Sequence, residues 1–490
     1  MTRIGIRLLA IALLVLSPAC SPTAVASPVG PTEAAGDPAP GGVVRHFDIT
    51  AEAATIELRP GLHINAWTYN GTVPGPTLRA TVGDLIDVSF HNHLPESTTI
   101  HWHGLAVPNG QDGVGGLTQD PVPSGSSAHY AFVATTDGTY WYHSHQNSLA
   151  QLDRGLYGVI IIAPRTEPAA PGTDATLVFD EWPLGLERPS PPPASDFSMI
   201  SYVTYTVNTK TGSAIAPVRF EPGKLVRLRL LNVGAFDHFV HIDGQPVTIV
   251  AFDGHAVRGG PPTTDALPLG PAERLDVEFT GPNTALWIHL QDGMPPAADL
   301  VVPLLPVGMS VPPIPAMSSP AKVLDIFDYP AHAVDTVWPA NTVPNKAFTL
   351  HLSAQLAPGG VQAMSPDETL YEINGAAFPA TGTLEVGLGD FVQITFVNDS
   401  SVDHPMHLHG MSFQIITVNG LRPAGVLVKD TVVVAPKARV TIGFKADNPG
   451  WWMLHCHILY HSLGGMMILV HVGGASRLAQ LGGPFGGRPD

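Results

Sequence analysis

The chain has 490 residues, of which 44% are hydrophobic and 13% are charged, so it can form roughly two to four domains with apolar cores and is neither disordered nor a coiled coil. Its 24 lysines and arginines against 41 aspartates and glutamates give a formal charge of −17, which excludes a broad basic surface for nucleic acid or an anionic membrane. Fifty glycines and 49 prolines without a collagen period favour many short strands joined by turns, hence an all-β chain.

The N-terminal segment 1–26 predicts a signal peptide for export. Two arginines precede an apolar run, 8–16, which is too short to span a bilayer. The processing route stays open between cleavage after the small residues 24–26 and lipid attachment at Cys20, by a lipoprotein signal that ends before this cysteine. We therefore expect a protein of the periplasm, cell envelope or extracellular space, which contacts a membrane only if Cys20 carries a lipid.

Strand-sized apolar runs bounded by turn residues follow in three blocks, each of the size of a small β-sandwich or Greek-key barrel. Segments rich in proline, alanine and glycine precede and separate the blocks. The predicted order is a flexible tether at 27–42, the first block at 43–165, the second at 172–302, a linker at 303–321, the third block at 322–475 and a flexible tail at 476–490.

Two of the blocks contain related segments. DLIDVSFHNHLPESTTIHWHG at 84–104 and DFVQITFVNDSSVDHPMHLHG at 390–410 each combine a strand, a polar turn and a histidine motif that ends in glycine. The middle block has KLVRLRLLNVGAFDHFVHIDG at 224–244, where the histidine motif has faded. The chain is therefore predicted to be a threefold repeat of one β-domain.

Histidines are concentrated in four short clusters. On a β-strand, residues i and i+2 face the same way about 6.6 Å apart, so each His-x-His pair directs two imidazoles at one point and forms a metal chelate. Four such pairs, two in each of two related blocks, can enclose a multinuclear metal site. An isolated pair carries little weight, and we interpret His91/His93 and His238/His241 as structural. The clusters are His101/His103, His143/His145, His404/His407/His409 and His455/His457 with His461.

Cys456 is the only cysteine outside the signal segment, and it stands between two of these histidines. If the segment is a strand, Cys456 faces one way while its neighbours face the other, so the thiolate and the imidazoles bind different metal ions. A soft thiolate, two imidazoles and a thioether form the blue-copper electron-transfer set, and His404, Cys456, His461 and Met466 supply these types. Cys456 would then also begin a covalent electron path into the histidine cluster.

With these motifs in this order, the chain resembles the three-domain multicopper oxidases, the family of laccases, bacterial cuprous oxidases, ferroxidases and bilirubin oxidase. The resemblance covers the whole mature chain and implies three consecutive cupredoxin-like Greek-key β-barrel domains and four copper ions. It implies a type 1 copper bound by His404, Cys456 and His461 with Met466 as axial ligand. It also implies a type 2 copper bound by His101 and His407, and a type 3 pair bound by His103, His143, His145, His409, His455 and His457.

The resemblance further implies one-electron oxidation of a reductant at the type 1 copper, with Cys456 carrying the electrons onward, and four-electron reduction of O2 to water at the other three coppers. Asp112, eleven residues after His101, resembles the family's acid beside the cluster and would carry protons; the alternative is a turn aspartate in Gln-Asp-Gly. Many relatives also have a glutamate shortly after the cysteine, whereas 458–462 reads ILYHS here, so a second proton relay is not identified.

The reductant stays open at this point. Asp403, next to His404, is either a group that takes a proton from a phenol or holds a cation, or a solvated turn residue. Methionines are scattered, which argues against a specialised copper(I)-collecting segment. We expect a laccase-like oxidase of phenols or aromatic amines, or of low-valent metal ions such as copper(I), acting as a monomer with O2 as its second substrate. The alternative is a non-catalytic copper-binding or copper-tolerance protein of the envelope.

Overall fold

The computed structural model describes residues 36–166, 171–183, 185–186, 202–292, 300–314, 321–356 and 369–474, and all structural statements below concern these residues. The predicted signal segment with Cys20 and the predicted tail at 476–490 lie outside them. No helix in the described part of the chain has the length and hydrophobicity that crossing a membrane requires.

The described residues form strands almost throughout, as the composition predicts. The first part contains β1 (Val44–Arg59), β2 (Leu62–Tyr69), β3 (Gly75–Thr81), β4 (Leu85–Asn92), β5 (His101–His103), β6 (Ser127–Val133), β7 (Gly138–His143), α1 (Ser148–Leu152) and β8 (Tyr157–Ala163). The second contains β9 (Thr173–Pro183), β10 (Tyr202–Val207), β11 (Val218–Phe220), β12 (Leu225–Asn232), β13 (His238–Ile242), β14 (Thr248–Phe252), β15 (His255–Arg258), β16 (Leu267–Leu269), β17 (Arg274–Thr280), β18 (Leu286–Leu290), β19 (Val301–Pro306) and β20 (His332–Ala333). The third contains β21 (Lys346–Leu356), β22 (Thr369–Ile373), β23 (Thr383–Val386), β24 (Phe391–Asn398), β25 (His404–Leu408), β26 (Phe413–Val418), β27 (Val428–Lys429), β28 (Thr431–Val434), β29 (Arg439–Lys445), β30 (Gly450–Cys456), α2 (Leu459–Leu463) and β31 (Met467–Val472).

Six sheets form three successive pairs, which we call the first, second and third sheet pairs. The first pair has the strand orders β2-β1-β4-β6 and β3-β8-β7-β5. The second has β10-β9-β12-β17-β14-β15-β20 and β11-β19-β18-β13-β16, and the third has β22-β21-β24-β29-β26-β27 and β23-β31-β30-β25-β28. Apolar side chains from both sheets of a pair meet in its core, so each sheet buries its apolar face against the other sheet.

The three pairs repeat one topology. The strands of the repeated sequence segments, β4, β12 and β24, each lie between a parallel and an antiparallel partner: β1 and β6, β9 and β17, β21 and β29. β4 and β24 alternate buried and half-exposed residues along their whole length. The predicted threefold repeat of a β-domain is confirmed.

Each repeat ends this strand with a buried asparagine. Asn398 Nδ2 donates hydrogen bonds to the carbonyl oxygens of Val402 and Val434, both at 2.8 Å. Asn92 and Asn232 make the equivalent pair of bonds in the first and second sheet pairs, at 2.8 to 2.9 Å. The side chain therefore closes the turn that leads to the next, histidine-bearing strand.

The structure differs from the predicted boundaries on both sides of the predicted linker, at the end of the second block and at the start of the third. β19 extends to Pro306, inside the segment predicted as a linker, because it pairs with β18 and β11. β20, which we assigned to the third block, instead pairs with β15 of the second sheet pair. Backbone pairing decides these ends, and the proline-rich composition that suggested a linker does not prevent a short strand.

The predicted tether is also shorter than its composition suggests. Residues 39–42 are held against the first sheet pair: the Ala39 N–H donates to the Gly83 carbonyl at 2.9 Å, and Arg165 Nη1 donates to the Gly41 carbonyl at 2.6 Å. A side chain on Gly42 would collide with the Gly83 carbonyl, so the close approach needs glycine.

Candidate metal centre

The four predicted histidine pairs meet where the first and third sheet pairs face each other. In the first sheet pair, β5 and β7 place His101 directly opposite His143. In the third, β25 and β30 place His407 directly opposite His455. Short cross-strand distances thus bring two His-x-His motifs together on each side, and all eight side chains are buried.

Rings from the two sides stack on each other. His101 stacks on His409 with ring centroids 4.0 Å apart, and His103 stacks on His407 at 3.7 Å with an angle of 14° between the planes. Trp141 packs on the same cluster, 4.2 Å from the ring of His143. Each half of the site therefore holds the other half in place.

The eight imidazoles divide into groups that match individual metal ions. Within a group, one ring nitrogen of each histidine lies within 4.8 Å of those of the others, which leaves space for one ion at about 2.0 Å from each. Both complete groups draw residues from the first and third sheet pairs, and a further group joins His101 and His407 to His103. The complete groups are His103/His143/His457 and His145/His409/His455.

Hydrogen bonds occupy one nitrogen of several rings and leave the other without a partner. Backbone carbonyls accept the Nδ1 protons of His101, His143 and His407 at 2.8 to 2.9 Å. A neutral imidazole that donates from one nitrogen has a lone pair on the other, so these rings are prepared to bind a metal ion. Buried nitrogens with no hydrogen-bond partner among the described residues are His101 Nε2, His103 Nδ1, His143 Nε2, His145 Nδ1, His407 Nε2 and His457 Nε2.

Burial favours the neutral form of six of the eight imidazoles. Desolvation, with the neighbouring imidazoles as a further cause, lowers the pKa of His455 to about 3. The same causes hold five further pKa values well below the ordinary histidine value, those of His103, His143, His145, His409 and His457. Because the neutral ring is the form that binds a transition metal, these six histidines do not need to lose protons first at neutral pH.

The lone cysteine belongs to a separate group. Cys456 Sγ lies 3.4 Å from Nδ1 of His461 and 3.8 Å from Nδ1 of His404, and all three residues are buried. Ser400 Oγ lies 2.9 Å from His404 Nε2, so that nitrogen can donate to the hydroxyl while Nδ1 faces the sulfur. Burial raises the pKa of Cys456 well above its ordinary value, and a bound cation would be needed to keep it as thiolate.

The segment around Cys456 shows the predicted alternation. His455 and His457 face the two complete histidine groups, while Cys456 faces the separate group that it forms with His404 and His461. Helix α2 then turns the chain back so that His461 reaches the sulfur. Met466 is fully buried next to them: the Cys456 N–H donates to its carbonyl at 3.0 Å, and its own N–H donates to the His461 carbonyl at 3.0 Å.

Asp112 is fully buried between the histidines. It follows a short 3₁₀ turn, Asn109–Gln111, and its Oδ2 accepts a hydrogen bond from Nδ1 of His409 at 3.0 Å. Its Oδ1 lies 3.3 Å from His101 Nδ1 but has no hydrogen-bond partner among the described residues. One carboxylate oxygen is thus available to hold a proton beside the cluster.

Asp403 lies in the wall of a cavity of about 480 Å³ between the second and third sheet pairs. Asp237 lies in the same wall, and burial followed by the charge of Asp403 raises the pKa of Asp237 to about 7. Most of the wall is apolar, including Leu324, Phe327 and Val433. The cavity thus combines a mostly apolar surface with four acids, because Glu273 and Asp325 line it as well, and Asp403 is the neighbour of His404.

Sequence reasoning missed three charged residues of the site. Asp237 precedes His238 in the middle repeat, at the position that Asp403 has in the third repeat, whereas Arg274 and Asp430 appear in ordinary strand segments. Arg274 donates two hydrogen bonds to the carboxylate of Asp430, at 2.8 and 2.6 Å. Asp430 Oδ1 also accepts a hydrogen bond from His103 Nε2 at 3.2 Å. Two signals were available: the repeat aligns Asp237 with Asp403, and the charged pair Lys429–Asp430 interrupts the apolar run GVLVKDTVVV.

The histidines interpreted as structural stay outside the ligand groups. His91 Nδ1 bonds to Ser127 Oγ at 2.8 Å. His238 lies between two acids, 2.8 Å from Glu181 and 2.7 Å from Asp292. At the position that His404 occupies in the third repeat, the middle repeat thus has an ion pair.

Comparisons with known proteins agree with this geometry. Three family models, each described as multicopper oxidase, match residues 50–167, 139–297 and 349–475. The chain is 32% identical to the multicopper oxidase MmcO of Mycobacterium tuberculosis over 85% of both chains. It is 28% identical to laccase-1 of Cryptococcus neoformans over 86% of this chain and 79% of that one, and 25% identical to copper resistance protein A of Escherichia coli over 87% and 92%. The crystal structure of a multi-copper oxidase from Pseudomonas thermotolerans superposes with a TM-score of 0.71 at 26% identity, over 88% of this chain and all of that one.

The fold and the two kinds of ligand group define a copper protein built from three cupredoxin-like domains. The chain belongs to the multicopper oxidase family. It is an oxidoreductase with copper as its cofactor, and a non-catalytic copper-binding role is not favoured.

Proposed function

We propose that the ligand groups described above hold four copper ions. His404, Cys456 and His461 hold the type 1 copper with Met466 as its axial ligand. His101 and His407 hold the type 2 copper, and the two complete three-histidine groups hold the type 3 pair. The observation that carries the assignment is the set of buried imidazole nitrogens that lack a hydrogen-bond partner and belong to the histidine groups.

Bound copper supplies one-electron redox chemistry, which couples oxidation of a reductant to reduction of O2 to water. The chain supplies the connection between the two parts of the site, because Cys456 is bonded through the backbone to His455 and His457. It also supplies a proton carrier: Asp112 Oδ1 can take up a proton beside the histidines while Oδ2 keeps His409 in place. Burial of the histidines excludes bulk water.

The cavity lined by Asp237 and Asp403 is our candidate for the reductant site. His404 and His461 are both buried, and Tyr371 stacks on the His461 ring at 4.0 Å, so a reductant does not touch a ligand ring directly. Asp403 and His404 are consecutive, which places the cavity wall one peptide unit from a type 1 ligand.

Phenols and aromatic amines fit this cavity best. Its apolar wall can pack against an aromatic ring, and a carboxylate can accept a hydrogen bond from the phenol O–H or the amine N–H. Copper(I), the second candidate, prefers soft sulfur ligands, and the described lining has carboxylate oxygens but no methionine or cysteine. The similarity to copper resistance protein A keeps copper(I) as a candidate.

Oxygen uptake with the two reductants tests the proposal. We expect purified, copper-loaded protein to be blue, to hold four coppers per chain and to consume O2 faster with a substituted phenol than with copper(I). Asp237→Asn should raise the KM for the phenol about tenfold, the equivalent of one hydrogen bond, with the blue colour unchanged. An unchanged KM would remove the cavity from consideration, and a colourless protein would refute the copper assignment.

We also propose that the three sheet pairs are domains of approximately 43–165, 172–302 and 322–475, with the second extended to Pro306 and completed by β20. We further propose that the chain is exported and acts as a monomer. The N-terminal pattern supports export, and the similarity to a copper resistance protein supports a role in copper homeostasis. The mass and N-terminal sequence of the mature protein would distinguish cleavage after residue 26 from lipidation at Cys20. Sedimentation would test the monomer.

A further inference from the structure

Five fully or nearly fully buried charges lie beside the histidine cluster. Asp253, Glu273 and Arg274 come from the second sheet pair, and Lys429 and Asp430 from the third; none is more than 5% exposed. Removing a charge from water costs several kcal/mol unless partners compensate for it, so this group needs a physical reason at this position.

The arginine is held by all three sheet pairs. Arg274 binds both oxygens of Asp430 and donates from Nε to the Thr139 carbonyl at 3.1 Å. Its Nη2 also donates to the Asp253 carbonyl at 3.0 Å, and Nη1 to the Ala272 carbonyl at 3.2 Å. A bidentate pair with these further bonds fixes the carboxylate of Asp430 in one orientation.

Asp430 in turn contacts two of the proposed copper ligands. Its Oδ1 accepts from His103 Nε2 at 3.2 Å, and its backbone carbonyl accepts from His407 Nδ1 at 2.9 Å. The opposite nitrogens, His103 Nδ1 and His407 Nε2, have no hydrogen-bond partner among the described residues. Since a neutral imidazole has a single N–H, an acceptor on one side decides that the other nitrogen carries the lone pair.

We propose that Arg274 and Asp430 are positioning residues that select the tautomer and orientation of His103, with the main chain of Asp430 doing the same for His407. The second sheet pair, to which we assign no copper ligand, thereby takes part in building the three-copper site. This inference rests on the copper assignment proposed above. It predicts a defect in that site with the type 1 group left intact.

Asp430→Asn is the principal test. Asp430 Oδ1 accepts from Arg274, His103 and the Thr431 hydroxyl together, and an amide has only one oxygen to replace two acceptors. We expect the three-copper site to bind copper about 10- to 100-fold more weakly than in the wild-type protein. The readouts are copper titration, the electron paramagnetic resonance signal of the type 2 copper and the near-ultraviolet absorption of the type 3 pair, with the blue absorption as internal reference.

Asp276→Asn is the matched control. Asp276 is also buried, lies on the same strand as Arg274, β17, and accepts from Arg229 at 3.0 Å and from the Thr139 hydroxyl at 2.9 Å, whereas its carboxylate contacts no histidine among the described hydrogen bonds. It should lower the unfolding midpoint but leave copper affinity and both signals unchanged. Arg274→Lys keeps the charge and loses the bidentate geometry, so it should weaken copper binding less than Asp430→Asn.

Two results would overturn the inference: wild-type copper affinity and signals in Asp430→Asn, or an equal loss in the Asp276→Asn control, which would mean general destabilisation. If Asp430→Asn does not accumulate as folded protein, Arg274→Lys decides by the same comparison. A wild-type protein that binds no copper would instead refute the proposed function, and its colour and copper content show this separately.

Discussion

Replacing Asn398 with alanine should loosen the turn that carries His404 to Cys456. Asn398 is 1% exposed, and its Nδ2 donates to the carbonyls of Val402 and Val434 while its Oδ1 accepts from the Ser400 N–H at 2.9 Å. The Ser400 hydroxyl also lies 2.8 Å from the same Oδ1 and 2.9 Å from His404 Nε2. The asparagine thus supports a ligand through one intermediate side chain.

The size of the effect follows from the bonds lost. Asn398 Nδ2 also lies 3.1 Å from the Ala435 carbonyl, but its two N–H groups already donate to closer acceptors. The three shorter backbone hydrogen bonds, at about 1 kcal/mol each, predict that Asn398→Ala lowers the free energy of unfolding by about 3 kcal/mol. The internal repeat offers a matched control, because Asn232 makes the same three bonds, to Phe236, Leu269 and Gly234, where there is no proposed copper ligand. Asn232→Ala should therefore cost about as much stability.

The two variants should differ only at the copper site. Urea unfolding of the metal-free proteins, followed by tryptophan fluorescence, measures the stability of each. The visible spectrum after copper loading should show a shifted or weakened blue band for Asn398→Ala and the wild-type band for Asn232→Ala. The reasoning would be refuted by an unchanged band in Asn398→Ala, or by a loss of less than about 1 kcal/mol in both variants.

Three further outcomes are expected. Cys456→Ser should abolish the blue colour and O2 consumption while the histidine groups still bind copper; O2 uptake at the wild-type rate would contradict the electron path. Asp112→Asn should slow O2 reduction by about 10²-fold or more with the blue band intact, and unchanged turnover would return Asp112 to a structural role. Burial would lower the pKa of His238, but Glu181 and Asp292 raise it to about 10. The folded protein therefore binds a proton that the unfolded chain releases above about pH 6.5, and this contribution to stability, complete below that pH, should fall by about 1.4 kcal/mol per pH unit toward pH 10. Urea unfolding at pH 7, 8 and 9 measures the free energy of unfolding at each pH. This free energy should fall less steeply with pH in His238→Gln than in the wild-type protein. An equal fall in both proteins would contradict the ion pairing of His238.

Much of the fold could be predicted because its signals are local. Alternating apolar residues identify β4 and β24, and the strand–turn–histidine segments reveal the repeat. The C-terminal end of the second block could not be predicted, because β19 and β20 pair with β11 and β15, which are strands far back along the chain. Composition indicates only the local conformational preference of a segment, and pairing with another strand can outweigh that preference.

The sequence by itself determined the ligand types and their directions. A period of two along β30 sends Cys456 one way and His455 the other, whatever the rest of the chain does. Only the tertiary structure brought the proposed ligands together in groups and supplied the residues that hold them. His103 meets Asp430 across 327 residues, and Arg274 comes from a block without an intact histidine motif. Such contacts depend on how three sheet pairs pack together, because the spacing of residues along a chain carries no information about distances between domains that are folded separately.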